Sequence, residues 1–432
     1  MNAVRDVRWC RLSEWLTGTR VYRKVSEAIL RAQARLRLAR LESCRIERSQ
    51  LMALQWMLHR ARQTPFGQEH DFRRIGSVSD YQRLVPLSTP QSLWSRYWHR
   101  AEPEPTQATW PEAETQLAGM HDGHSVFHLP VSPSLVQAHW KALRTALALV
   151  TTHTTRHLSG DILFLGPSGH RVDALLATGA TPLLSSRIRL GRESRARETE
   201  VRPDEADSVQ AVTPVNPSPN VSCILADRDR FGRLLRSLHW QTGKKHVREI
   251  WPELSAVILT SRCTPTPGDI SDEPALQIDG VEVRGACLPL EAPLAVEDHR
   301  HNGLRVLADL DTFLEFIPVE ELDQLRPSRH TLVNIEPGHE YAAAFTSPAG
   351  LWSCVSGLRV MFEKLEPLLL KWVRQDAITL RTREDDVTRA FPSNAVTGST
   401  TPPAVHPLRN DTSAAPRGKI SRTSWLRRAD RE

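Results

Sequence analysis

Apolar positions are densest between residues 288 and 318, LPLEAPLAVEDHRHNGLRVLADLDTFLEFIP, where they fall into three short runs separated by charged turns. Residues 294–296, 303–307 and 312–317 read as strands, the last stopped by Pro318, which has no amide proton for a sheet ladder. Runs this apolar belong inside a larger sheet. Glu291 precedes the first run between Pro289 and Pro293, so its carboxylate is expected at a rigid strand edge rather than on a solvated helix face. An acid placed there is suited to hold a metal ion or orient a nucleotide; the alternative is an ordinary loop glutamate.

Elsewhere the period changes from two to three and four. Between residues 21 and 62, Leu36, Leu38, Leu41, Leu51, Leu54, Leu58 and Ala61 fall at helical steps, with an arginine-rich opposite face. Thr64-Pro65-Phe66-Gly67 ends that pattern, and Ser79-Asp80 precedes a further helix-compatible run that Val85-Pro86 closes. Residues 134–150 form an amphipathic helix with Ser132 as its cap. Residues 161–165, 256–260 and 341–346 read as strands, and 231–239 as a helix carrying Leu234, Leu235 and Leu238. The alternation of strand and helix after Ser134 points to α/β layering.

The 432 residues are ample for a large core, and a formal net charge of +6 spread over scattered arginines does not describe a nucleic-acid surface. Six cysteines lie far apart without a CxxC pair, which suits free thiols in a reducing compartment. The first residues lack the apolar core of a secretory signal, and no run approaches the roughly 18 apolar residues of a membrane span. The expectation is a soluble, cytoplasmic protein without membrane or specific nucleic-acid partners. Residues 185–220 and those beyond about 379 shift to Arg, Pro, Ser and Thr, as expected of an inserted linker and a disordered tail; a basic cluster at 417–428 ends the chain.

Two stretches bear on chemistry without deciding it. His121, His124 and His128 recur three and four residues apart, which on a helix would give metal ligands one face. Gly123, Ser125 and Pro130 favour a loop and a strand instead, with solvated histidines. Gly166-Pro167-Ser168-Gly169 follows a strand but has neither GxGxxG spacing, nor a following lysine, nor the GxSxG of a nucleophile elbow.

Several blocks together resemble the Gretchen Hagen (auxin-responsive promoter) family of acyl-acid amido synthetases in its bacterial form. The T-x-F-G-x-x-H-x-F element is matched by Thr64, Phe66, Gly67, His70 and Phe72, and the D-F/Y-x-x-x-V-P element by Asp80, Tyr81, Val85 and Pro86. Trp251-Pro252-Glu253-Leu254 matches a W-P-x-L turn, and residues 313–322 match the block that follows the second nucleotide motif. Glu291 matches the acid of that motif near magnesium, with Leu290 where a hydroxyl residue would stand. The phosphate loop corresponds to residues 117–132, where Gly119, Gly123 and the LPVS strand with Ser132 are kept, but Met120, His121 and Asp122 replace hydroxyl residues and Phe127 or His128 the lysine. The ribose motif corresponds to residues 350–360: Gly350, Leu351, Trp352, Gly357 and Val360 are kept, while Leu358 replaces the aspartate, Cys354 the tyrosine and Ser353 the arginine.

The resemblance implies the α/β fold of the acyl-adenylating (firefly-luciferase-like) superfamily, with mixed sheets layered by helices. Residues 28–372 would be the large domain, 1–27 an N-terminal extension and 373–432 a basic tail in place of the closing C-terminal domain. It implies ATP and magnesium as cofactors, a small carboxylic acid and an amino acid as partners, Glu291 as catalytic and metal-holding acid, and Gly119, Ser132, Gly350 and Gly357 at the nucleotide. The replacements predict adenylation that is weak or lost, with a non-catalytic ligand-binding or scaffold protein as the other reading.

Overall fold

Residues 295–298 and 303–306 of the 288–318 stretch lie in the middle of a twelve-stranded sheet, beside the place where parallel pairing gives way to antiparallel pairing, while residues 313–318 pair with its antiparallel edge strand. The structure is a computed structural model and describes residues 20–98, 105–121, 126–158, 160–165, 188–190, 220–260 and 278–375.

The expected helical region divides into α1 (Arg20–Glu42) and α2 (Ile46–Ala61). The break falls at Arg45, which is extended at φ −83 and ψ 101. Thr64 then caps α3 (Pro65–Glu69), its hydroxyl accepting from the Gly67 amide at 3.1 Å. The cap of α4 (Val78–Leu84) is Ser77, which takes the Asp80 amide at 3.1 Å; Ser79 already lies inside the helix. A single turn, α5 (Pro90–Leu93), follows with a capping box between Thr89 and Ser92.

β1 (Glu114–His121) and β2 (Val126–Val131) form a separate antiparallel hairpin that leads directly into α6 (Pro133–His153). Ser132 caps α6 as expected, accepting from the Leu135 amide at 3.1 Å. The parallel half of the large sheet has the order β4 (Ile188–Leu190), β3 (Asp161–Leu165), β5 (Val221–Ala226), β6 (Ala256–Leu259), β7 (Glu282–Cys287). β3, β5 and β6 are covered on both faces and are nearly continuously apolar, whereas β7 is only half-buried over its first four residues. Ile162, Phe164, Cys223, Leu225, Ala256 and Ile258 belong to the core shared with α1 and α6. Their alternates Leu163, Leu165, Ile224, Ala226, Val257 and Leu259 pack with Phe231, Leu234, Leu235 and Leu238 of α7 (Arg228–Thr242).

The antiparallel half continues from β7 through β8 (Ala295–Asp298) and β9 (Gly303–Val306) to β14 (Leu368–Gln375), β13 (Leu351–Leu365), β12 (Glu340–Ser347), β10 (Phe313–Pro318) and β11 (His330–Thr331). β8, β9 and β10 lie where the apolar runs place them. Two cores serve this half. One joins Leu304, Phe316, Tyr341, Phe362 and Leu370; the other, under α2 and α3, is aromatic and includes Phe66, Phe72, Trp98, Trp110 and Trp352.

The described residues all belong to one compact unit, and residues 383–432 lie outside the described residues. Also outside them lie most of the expected insertion at 185–220, the Gly166–Gly169 turn and His124.

Candidate active site around Glu291

Glu291 occupies the turn between β7 and β8, just past the carboxyl end of the last parallel strand, where open α/β sheets place their ligands. The turn is fixed by the Leu294 amide donating to the Cys287 carbonyl at 2.9 Å. Glu291 is only 4% exposed, and among the described residues it forms no ion pair with any base. Burial therefore pushes its carboxyl up to about 7, against a small opposing contribution from its own backbone amide. Near neutral pH the group sits poised between acid and carboxylate.

Its surroundings are buried and uncharged. His139, in the second turn of α6, has Nε2 3.4 Å from the Leu290 carbonyl, and burial lowers its imidazole to about 4, so the ring is neutral. The Cys354 thiol is pushed up, first by burial and then by the charge of Glu291, with the Ser88 hydroxyl opposing. A thiol held protonated in this way is not a nucleophile. Leu290 packs against the cluster that contains Leu129, Leu135, Ala349, Leu351 and Cys354. The Glu291 turn, the end of β2, the start of α6 and the β12–β13 turn thus meet in one place.

The β12–β13 turn explains two more of the expected site residues. Gly350 has φ +77, and its amide donates to Ser347 at 3.0 Å. A Cβ on Gly350 would lie 2.2 Å from Thr109 Oγ1, so the position needs glycine for space as well as for conformation. Ser132 Oγ donates to the carbonyl of Pro348 at 2.5 Å while capping α6, tying the end of the β1–β2 hairpin to the turn that carries Gly350. Trp352 stacks on Phe66 with ring centroids 5.8 Å apart and donates its Nε1 proton to the Thr109 carbonyl at 3.1 Å. The aromatic residues of the first sequence block are therefore packing partners of Trp352.

Gly357 lies further along β13, at φ +80, inside a bulge where residues 355–359 face only 342–344 of β12. The next residue, Leu358, is buried in the antiparallel core. Gly119 pairs with His128 in the β1–β2 hairpin, whose tip at 122–125 lies outside the described residues. The structure thus gathers Glu291, Ser132 and Gly350 around the start of β13, sets Gly357 along the same strand, and joins Gly119 to them through the hairpin.

One buried constellation was not anticipated from sequence. Arg329 grips Glu315 with two parallel bonds of 2.9 and 2.8 Å, and Ser353 Oγ donates to the same carboxylate at 2.7 Å. Tyr81, Thr346 and Gln82 complete the network, and Ser353 is held at φ +43 to reach it. The signal available was a lone acid in the otherwise apolar strand FLEFIP; a buried carboxylate demands a partner. His139 was legible in the same way, as a histidine on the buried face of α6.

The donor set suits magnesium of the kind that substrates complete. Among the described residues no group of three or more His, Cys, Asp or Glu side chains is placed to hold a metal alone. Magnesium commonly takes one or two carboxylates and fills its remaining positions with water and substrate phosphates, and a buried, unpaired Glu291 is such a carboxylate. At the position that the resemblance assigns to the ribose, the buried Leu358 offers no acceptor.

No family model matches the chain, and no curated protein matches it. Among solved structures it is similar to the GH3.15 acyl acid amido synthetase in complex with 2,4-DB, with TM-score 0.58 and 13% identity over 83% of this chain and 74% of that one. A second structure of a GH3.15 acyl acid amido synthetase gives TM-score 0.56 and 15% identity over 82% and 73%. An open conformation of 2-hydroxyisobutyryl-CoA ligase in complex with 2-HIB-AMP and CoA gives TM-score 0.52 and 13% identity over 78% and 75%. The fold is that of the adenylate-forming ligases. Both the acyl acid amido synthetases and the CoA ligase are similar to this chain at the level of fold.

Among the described residues no helix is long and apolar enough to cross a membrane.

Proposed function

We propose that this protein descends from ATP-dependent acyl-acid amido synthetases of the bacterial type and retains their acid-binding architecture, with adenylation weak or lost. In the intact reaction a substrate carboxylate attacks the α-phosphorus of ATP and the bond to pyrophosphate breaks. The amine of an amino acid then attacks the acyl carbon, an amide forms and AMP leaves. The observation that carries the reading is a buried carboxyl, Glu291, without a basic partner among the described residues, at the carboxyl end of the last parallel strand of an adenylate-forming fold. Magnesium, when bound, would supply positive charge to the transferring phosphate. Glu291 would hold that ion, and the neutral His139 would keep the carbonyl before Glu291 in place. Ser132 and Gly350 would fix the loop entering the site through the Pro348 carbonyl.

Weak catalysis follows from what stands at the other positions. Leu358 leaves a ribose hydroxyl without an acceptor, at a cost of roughly 1–3 kcal/mol. Ser353, where the family pattern has an arginine, is committed to Glu315. These same two residues favour the second reading, a binding protein that no longer turns over. ATP–pyrophosphate exchange against a panel of carboxylic acids separates the readings. Slow exchange that disappears in Glu291→Gln supports an enzyme; saturable nucleotide or acid binding without exchange supports the binding protein; neither binding nor exchange defeats both.

A further inference from the structure

At the amino end of the parallel sheet, opposite the Glu291 turn, two arginines from different segments point at one spot. Arg156 follows the end of α6, and Arg248 lies in the 3-10 turn Val247–Glu249 after α7. Between them runs the tight turn into β7, closed by the Val281 amide donating to Ile278 at 3.2 Å. A Cβ built on Gly280 of that turn would lie 3.6 Å from Nη1 of Arg248 and 3.8 Å from Nη2 of Arg156. Gly280 sits at φ +70 and leaves that volume open.

Two guanidinium groups converge only at an electrostatic cost unless an anion lies between them. Among the described residues neither forms an ion pair, and the buried Nε of Arg248 has no hydrogen-bond partner. The acids nearest in sequence, Asp279 and Glu249, do not supply one. The backbone on both sides is held firmly. The carbonyl of His157, beside Arg156, accepts from Ser255 Oγ at 3.1 Å, and Val247, beside Arg248, is fully buried. Both arginines remain partly open to solvent.

We propose that Arg156 and Arg248, over the Gly280 turn, form a binding site for a phosphate group, separate from the Glu291 site. The guanidinium forks supply donors from two directions, an arrangement suited to a tetrahedral dianion more than to a planar monoanion. Since the turn leads into β7, and β7 leads to Glu291 at its far end, an occupied site would brace the strand that carries the candidate acid.

Isothermal titration of the full-length protein with inorganic phosphate, at ionic strength held constant with chloride, tests the site. Saturable binding is expected, weakened about tenfold or more in Arg156→Gln and in Arg248→Gln, and unchanged in Lys245→Gln and Glu291→Gln. Arg156→Lys, which keeps the charge without the fork, should bind less tightly than the parent and serves if the glutamine variants do not fold. Methyl phosphate distinguishes sources: binding equal to inorganic phosphate points to a phosphomonoester, and weaker binding to the free ion. The proposal is overturned by equal binding in the Arg156→Gln/Arg248→Gln double variant, by acetate binding as tightly as phosphate, or by the absence of saturable binding.

Discussion

Arg329 and Glu315 form a bidentate pair inside the protein, with Nε to Oε1 at 2.9 Å and Nη2 to Oε2 at 2.8 Å, and the carboxylate is entirely withdrawn from solvent. The pair is also a clamp. Arg329 Nη1 donates to the carbonyls of Gln82 at 2.8 Å and Val85 at 2.6 Å, so it holds the end of α4 against the sheet. Removing one partner leaves the other charge buried and alone, which costs roughly 3–5 kcal/mol. Arg329→Ala should therefore lose about that much stability in urea denaturation, and Glu315→Ala a similar amount. The double variant should lose clearly less than the sum, because neither charge then remains. Additive losses would show that the pair contributes nothing as a pair.

Glu291 makes stability depend on pH in a defined direction. Its carboxyl is raised from an ordinary 4.5 to about 7, so the unfolded chain ionises first as pH rises. The stabilising contribution of the protonated form is complete below pH 4.5 and is lost as pH climbs through about 7, a change of about 3 kcal/mol. Glu291→Gln should remove this fall and melt higher than the parent at pH 8. A parent whose stability is flat between pH 5 and 8, once other groups are matched in the variant, contradicts the assignment.

Gly350 tests whether its place in the pattern is structural. Alanine there meets Thr109 Oγ1 at 2.2 Å and must hold φ +77. Gly350→Ala should destabilise by roughly 1–3 kcal/mol, as overpacking and left-handed strain combine. Adding Thr109→Ala should relieve part of the clash only, since Thr109 Oγ1 also accepts the Trp98 Nε1 proton at 3.0 Å. Thermal melts of the single variant, the double variant and Thr109→Ala alone give the comparison.

What was legible in the sequence was whatever local pattern controls. The strands β8, β9 and β10 followed from period-two apolar runs, and α6 with its Ser132 cap from period 3.6 and a hydroxyl before a proline. The break between α1 and α2 was not, because the apolar steps continue across it while the backbone at Arg45 turns extended. The site divides in the same way. Glu291 stood out through its flanking prolines, but its isolation from bases depends on residues far away in the chain. Thr109 beside Gly350 and Arg156 opposite Arg248 are contacts across about 240 and 90 positions, and Glu315, which meets Arg329 only 14 positions away, is also reached by Gln82 from 233 positions off; no spacing rule reaches that far.

Under the proposed function, Leu358 gives the sharpest test of whether the position that the resemblance assigns to the ribose can serve a nucleotide. If the proposed reading holds, an aspartate at position 358 is the obvious attempt to strengthen adenylation. The leucine side chain, however, lies in the core with Tyr341, Phe362 and Val373, and β13 enters it through the bulge at Gly357. A carboxylate there would lose its water and find no partner, at a cost of several kcal/mol. Leu358→Asp is therefore expected to lower the melting temperature strongly and leave ATP–pyrophosphate exchange no faster than in the parent, while Leu358→Met stays within about 1.5 kcal/mol. If Leu358→Asp instead folds as well as the parent and exchanges faster, position 358 opens onto the nucleotide and the lost ribose contact was the main barrier to catalysis.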